Sequence, residues 1–247
     1  MARARAGTRP SRILTRGTLL GIVVVALFAA AIFVLSRGDE RTDQPDVVLV
    51  GDSFAEQSSD QFLTFARGEG LRAEVFAFGG SSICSWEGQL TELVEREPKV
   101  LVLSFAGNDL HPCMNPESIP DRSAAEVARL YRDQLDVVAR QYRDAGSRIY
   151  VVAPPPVKKP LFEGYAAAMR QMYAEYAEDH PEITVVETFE GLGPDGEYHK
   201  SLPCEEGEPC GPDGMVVLRQ DDDIHLTPEG GTRYARMIME ALEEEGT

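Results

Sequence analysis

Five apolar runs constrain this chain more than any other feature. They occupy residues 47–50 (VVLV), 73–78 (AEVFAF), 100–105 (VLVLSF), 148–153 (RIYVVA) and 183–187 (ITVVE). Polar residues do not alternate with apolar ones inside the runs, which suits strands covered on both faces, as in a parallel sheet. The spacers read as helices. Ser123 and Glu126 form a capping box, followed by a stripe of Val127, Tyr131, Leu135, Val138 and Tyr142, with Gly146 placed to end the helix. Residues 158–180 form a second helical pattern. Thr227-Pro228 opens a last helix, with Pro at the tolerated first position and Tyr234, Met237, Ile238 and Ala241 facing inward. Strands alternating with helices predict a doubly wound α/β sandwich. Two long loops, 107–122 and 191–222, break the rhythm.

Binding sites in open parallel sheets form outside the carboxyl ends of the strands. Four short elements fall there or just before the last helix: Gly51-Asp52-Ser53, Gly79-Gly80-Ser81-Ser82, Gly107-Asn108-Asp109 and Asp222-Asp223-Ile224-His225. A serine hydroxyl is a weak nucleophile and needs a base within hydrogen-bond reach. His225 can supply it. Asp222, three residues earlier, can fix the imidazole tautomer, while adjacent Asp223 points away. The amide of Ser53, a glycine amide after the second strand and the side-chain amide of Asn108 can stabilise an oxyanion. Each residue also has an ordinary reading. Ser53 can cap a helix, Asn108-Asp109 can be an Asx turn, and His225 can cap the last helix. Asp109 reads as structural, and His111, His180 and His199 lack a carboxylate three residues before them. The ordinary readings must explain Ser, Asn, Asp and His at matching strand ends by coincidence.

These blocks, in this order, resemble the SGNH/GDSL hydrolase superfamily over residues 47–245. "DDDIHLTPEGG" (221–231) is the most specific of them. The resemblance implies a flavodoxin-like three-layer sandwich around a central parallel sheet of about five strands. It implies Ser53 as nucleophile, His225 as base and Asp222 as its partner, with Ser53, Gly80 and Asn108 as oxyanion donors. It implies acyl-ester hydrolysis or transfer without a cofactor. Two positions depart from the family pattern. Ala106 stands where the third block often has glycine, and the second block offers either Gly79 or Gly80.

Four cysteines, an even count, predict two disulfides. Cys204 and Cys210 flank a short turn-rich loop. Cys84 and Cys113 would then join the loops after the second and third strands, since neighbouring parallel strands lie about 4.8 Å apart. No Cys-x-x-Cys pattern or matching histidine favours a metal.

The amino terminus sets the expected location. Residues 1–16 carry five arginines, and residues 17–36 contain no charge. Such a span matches a bilayer core, and the arginines hold its amino end in the cytoplasm. Residues 37–46 then form a tether, and 47–245 an extracytoplasmic domain. Apolar residues 32–35 continue past Ala29-Ala30-Ala31, which argues for an uncleaved anchor rather than a signal peptide. The net charge of −17 excludes nucleic-acid binding through charge.

The expected function is therefore that of a membrane-anchored esterase or O-acetylesterase acting on envelope glycan or small esters. An O-acyltransferase served by a membrane acyl donor, and a non-catalytic glycan-binding module, are the alternatives. Trp86 reads as either a sugar-stacking platform or core.

Overall fold

The computed structural model describes residues 44–109, 111–115 and 122–244. The segments expected to be a basic terminus (1–16) and a transmembrane helix (17–36), with most of the tether, lie outside these residues. Among the described residues no helix is long and apolar enough to cross a membrane.

The five apolar runs form one parallel sheet. Its strands are β1 (Val47–Gly51), β2 (Ala73–Ala77), β3 (Val100–Ser104), β4 (Arg148–Val152) and β5 (Ile183–Val186), in the order β2-β1-β3-β4-β5. The helices are α1 (Ser53–Gly68), α2 (Glu87–Val94), α3 (Ala124–Asp144), α4 (Pro160–Asp179), the single-turn α5 (Phe189–Leu192) and α6 (Pro228–Glu244). Strand residues alternate between two apolar faces rather than between core and solvent. Val48, Val50, Leu101 and Leu103 pack with Leu90 of α2, Tyr131 and Leu135 of α3, and Met169 and Tyr173 of α4. Val47, Leu49, Val100 and Val102 pack with Phe54 and Phe62 of α1 and with Tyr234 and Ile238 of α6. This is the three-layer sandwich that unbroken apolar strands require. Truncating one of these fully buried leucines to alanine would cost about 2–5 kcal/mol.

The predicted caps are present. Ser123 and Glu126 form the capping box of α3. The Gly230 amide donates to Thr227 Oγ1 at 3.1 Å in the first turn of α6.

Three features go beyond the sequence reading. Residues 44–46, the end of the expected tether, belong to the fold. The Asp46 amide donates to the Arg72 carbonyl at 2.9 Å, and its carboxylate pairs with Lys99 at 2.7 Å. The long segment before Asp222 is not plain loop. It contains a two-stranded antiparallel ribbon of β6 (Ser201–Pro203) and β7 (Met215–Val217). Strands of three residues are too short for a periodic signal. Arg233, buried on α6, fastens this region by donating to the Pro203 carbonyl at 2.8 Å and pairing with Glu208 at 2.6 Å.

The third feature concerns the cysteines. Cys84 pairs with Cys113 and Cys204 with Cys210, with Cα separations of 6.1 and 5.8 Å. The partners are those expected, but the route differs. The parent strands of Cys84 and Cys113 are not neighbours, because β1 lies between β2 and β3. Their loops meet beyond the end of β1, which stops at Gly51 and turns into α1. A Cβ at Gly51 would lie 2.4 Å from the Ser104 carbonyl and 2.6 Å from the Ala55 Cβ, so only glycine fits there.

Candidate active site

Ser53 is the first residue of α1, but it is not the cap. Asp52 is. Its Oδ1 accepts the Phe54 amide at 3.1 Å. Its Oδ2 reaches the third block, accepting the Ala106 amide at 2.8 Å and Asn108 Nδ2 at 2.9 Å. Asp52 is wholly buried. Burial raises its carboxyl to about 6, even though the Ala106 and Phe54 amides pull the other way. With Asp52 as cap, the Ser53 hydroxyl is not needed for that purpose.

The glycine block lies beside α1. The Gly79 amide donates to Glu56 Oε2 at 2.8 Å. Gly80 follows with φ of +76°, a left-handed conformation that favours glycine. Ser81 donates its hydroxyl to the Gly51 carbonyl at 2.9 Å and receives Trp86 Nε1 at 3.0 Å. Trp86 is partly buried and packs against the core.

Asn108 faces the same loops. Besides Asp52, its Nδ2 contacts the Ser81 carbonyl at 3.3 Å, and its own carbonyl accepts the Tyr131 hydroxyl at 2.9 Å. Asp109 is largely buried against the Tyr165 hydroxyl, in keeping with a structural part.

The last block is a tight turn before α6. Asp222 Oδ1 accepts the amides of Ile224 and His225, each at 3.0 Å. Its Oδ2 lies 2.5 Å from His225 Nδ1. Burial acts to raise the Asp222 carboxyl, but the bonds from the His225 ring and the two amides outweigh it and hold the group at about 2. A carboxylate on Nδ1 fixes the proton there and leaves Nε2 as the basic atom. Asp223 turns the other way. It accepts the Tyr198 hydroxyl at 2.8 Å and sits 3.4 Å from Lys158. The turn is also tied to α1, since the Leu226 amide donates to Gln57 Oε1 at 2.7 Å.

Ser53, Gly79, Gly80, Asn108 and His225 all line one cleft of about 330 Å³. Ala106, Val157, Phe162, Tyr165, Ala166 and Ile224 form its apolar wall. Val157 brings the loop after β4 into this wall. Sequence reasoning named Ser53, Gly79, Gly80, Asn108 and His225 of this cleft. It missed the supports Asp52, Glu56 and Gln57. They stand in the same short stretch as Ser53, but which loop each one reaches is a matter of packing.

The Cys84–Cys113 bridge has two polar neighbours. Ser82 Oγ is 3.4 Å from one sulfur and 3.7 Å from the other. His111 Nδ1 is 2.9 Å from Cys113 Sγ.

The fold is the one seen in solved GDSL-type lipases and esterases. The chain belongs to the DUF459 family, described as a protein of unknown function, whose profile matches residues 46–241. No curated protein matches the sequence. Solved structures share the fold at low identity. The C-terminal catalytic domain of Streptococcus pneumoniae peptidoglycan O-acetyltransferase A is 19% identical, with 81% of this chain and 94% of that chain covered and a TM-score of 0.51. A GDSL-like lipase from Bacteroides thetaiotaomicron is 15% identical, with 81% and 88% covered and a TM-score of 0.53. An acetyl xylan esterase is 13% identical, with 79% and 99% covered and a TM-score of 0.52.

Proposed function

We propose that this chain is a serine-dependent acyl-ester hydrolase. The observation that carries the reading is the Asp222–His225 pair at 2.5 Å, set on the cleft that Ser53 also lines. A paired carboxylate and imidazole on the same cleft as a serine at a helix start have a direct chemical use. Ser53 Oγ attacks the ester carbonyl carbon as His225 Nε2 takes the hydroxyl proton. The resulting oxyanion is held by the amides of Ser53 and Gly80, with Asn108 Nδ2 as a third donor. Collapse expels the alcohol, which receives the proton from His225, and leaves an acyl-serine. Water, deprotonated by His225, then attacks the acyl carbon and releases the acid and free Ser53. No cofactor enters any of these steps.

Two observations support Gly80 over Gly79 as the glycine donor. Both line the cleft, but the Gly79 amide is engaged by Glu56, whereas Gly80 is in a left-handed conformation.

A second reading replaces the water with a sugar hydroxyl, giving an O-acyltransferase. The fold shared with a peptidoglycan O-acetyltransferase domain favours keeping it. Five arginines before an uncharged span support an anchored, extracytoplasmic enzyme that meets envelope glycans.

The test is a fluorophosphonate probe followed by a panel of acyl esters of graded length, with and without glycan acceptors. Labelling at Ser53 with acid release supports the hydrolase. Labelling with acyl transfer to the acceptor supports the second reading. A folded protein that neither labels nor turns over any ester would leave a non-catalytic binding module.

A further inference from the structure

Arg219 is wholly buried, yet no carboxylate lies within ion-pair distance of it among the described residues. Burial lowers its guanidinium to about 10, which still leaves it charged at neutral pH. Its Nε has no hydrogen-bond partner. A buried cation without an anion is a poor way to stabilise a fold, and an apolar residue of similar volume usually serves as well or better. The guanidinium's contacts suggest another purpose.

All three reach residues next to the proposed machinery. Nη1 donates to the carbonyl of Ile224, the residue before His225, at 3.1 Å. Nη2 donates to the carbonyl of Pro156, the residue before Val157 of the cleft wall, at 3.0 Å. The guanidinium carbon sits 5.9 Å from the ring centroid of Phe54, the residue after Ser53. The same ring stacks on Tyr234 of α6 at 6.0 Å. The backbone adds to the arrangement. Arg219 pairs with Leu226 across an isolated antiparallel bridge, and the Gln220 amide donates to the His225 carbonyl at 2.8 Å. Arg219 thus forms the base of the short hairpin whose turn carries Asp222 and whose returning arm carries His225.

We propose that Arg219 is a positioning residue: its planar fork fixes the turn bearing His225 against the loop after β4 and against the Ser53 end of α1, setting the imidazole's aim at the nucleophile. This rests on the serine hydrolase reading. Two carbonyls held by two parallel-facing nitrogens define both distance and orientation. A lysine, with one ammonium, cannot reproduce that.

The test compares Arg219→Met and Arg219→Lys with wild type for kcat, KM, the rate of fluorophosphonate labelling at Ser53, and Tm. Arg233→Met serves as a control, because it removes another buried arginine, one that anchors the β6–β7 region instead. A misplaced base costs about 10²-fold in rate. Arg219→Met should therefore lose about that factor in kcat and in labelling rate, with KM nearly unchanged. Arg219→Lys should fall between it and wild type. Arg233→Met should lower Tm and leave kcat alone. Wild-type kcat in folded Arg219→Met, or a loss confined to KM, overturns the proposal. If Arg219→Met does not fold, Arg219→Lys decides, and wild-type kcat there overturns it as well. Failure of wild type itself to label or turn over would instead sink the hydrolase reading.

Discussion

The carboxylate of Glu56 accepts the amide of Gly79 at 2.8 Å, one helical turn past Ser53. That bond holds the glycine loop to the helix that begins at Ser53, and it occupies one of two candidate oxyanion amides. Glu56→Ala frees the loop and should lower kcat by about 10-fold, within the range that small misplacements cost. Glu56→Gln keeps an acceptor and should stay close to wild type. Steady-state kinetics on one ester decide the matter, and full activity in Glu56→Ala would show that the loop holds its shape unaided.

The proposed triad makes the most direct prediction. Ser53→Ala and His225→Ala should each abolish turnover in a folded protein. Asp222→Asn should lose about 10⁴-fold in kcat, because the wrong imidazole tautomer is favoured. Undiminished turnover in Ser53→Ala would remove Ser53 as nucleophile.

Asn108 carries a conditional role. Its Nδ2 already contacts Asp52 and the Ser81 carbonyl, at 2.9 and 3.3 Å. To serve an oxyanion it must give up the longer bond and keep the shorter. Asn108→Ala should then cost about 10²–10³-fold in kcat, the worth of one donor. A loss seen only in KM would mark Asn108 as a substrate contact.

Asp52 makes stability depend on pH in an unusual direction. Folded, its carboxyl holds a proton up to about 6, against 3.8 for the ordinary group. Between these values the native state binds more protons than the unfolded one, so acid favours folding at this site. The contribution is full below about 4 and is lost as the pH rises through about 6. At about 1.4 kcal/mol per pH unit, the window is worth on the order of 3 kcal/mol. Asp52→Asn cannot titrate. Urea unfolding at pH 4 and 7 should show wild type gaining on the variant toward pH 4, and a constant gap would mean Asp52 does not hold its proton longer in the fold.

The Cys84–Cys113 bridge joins the loops that carry Gly80 and Asn108. A double serine variant should lose turnover well below its unfolding temperature, by about 10²-fold if a donor shifts by 1 Å. The Cys204/Cys210 pair closes a loop with a sequence separation of only 6. Its removal should cost less stability than the wider loop and leave turnover unchanged. Equal turnover in both folded variants would reduce the first bridge to a purely structural part.

The sequence by itself determined the five strands of the parallel sheet, the helices α3, α4 and α6, and the strand-end elements that carry Ser53, Gly80, Asn108 and His225. Unbroken Val/Leu/Ile runs can be satisfied only between two apolar layers, and Ser53, Gly80, Asn108 and His225 sit at strand ends or before a helix because local turn chemistry puts them there. Local chemistry also announced the capping box at Ser123 and the pairing of Asp222 with His225 three residues on. What each side chain reaches across the fold was decided only in three dimensions. Asp52, Glu56 and Gln57 lie within six residues of one another, yet they hold three different loops, because α1 is the element around which the loops after β2 and β3 and the turn before α6 converge. Arg219 shows no pattern at all in the sequence. Its two carbonyl partners come from positions 156 and 224, and backbone carbonyls carry no signature of the residue that will bind them. Strand order belongs to the same class. The placement of β1 between β2 and β3 is a long-range pairing, set by how the helices pack on the two faces rather than by any run of residues, and it makes Cys84 and Cys113 meet over Gly51 instead of side by side.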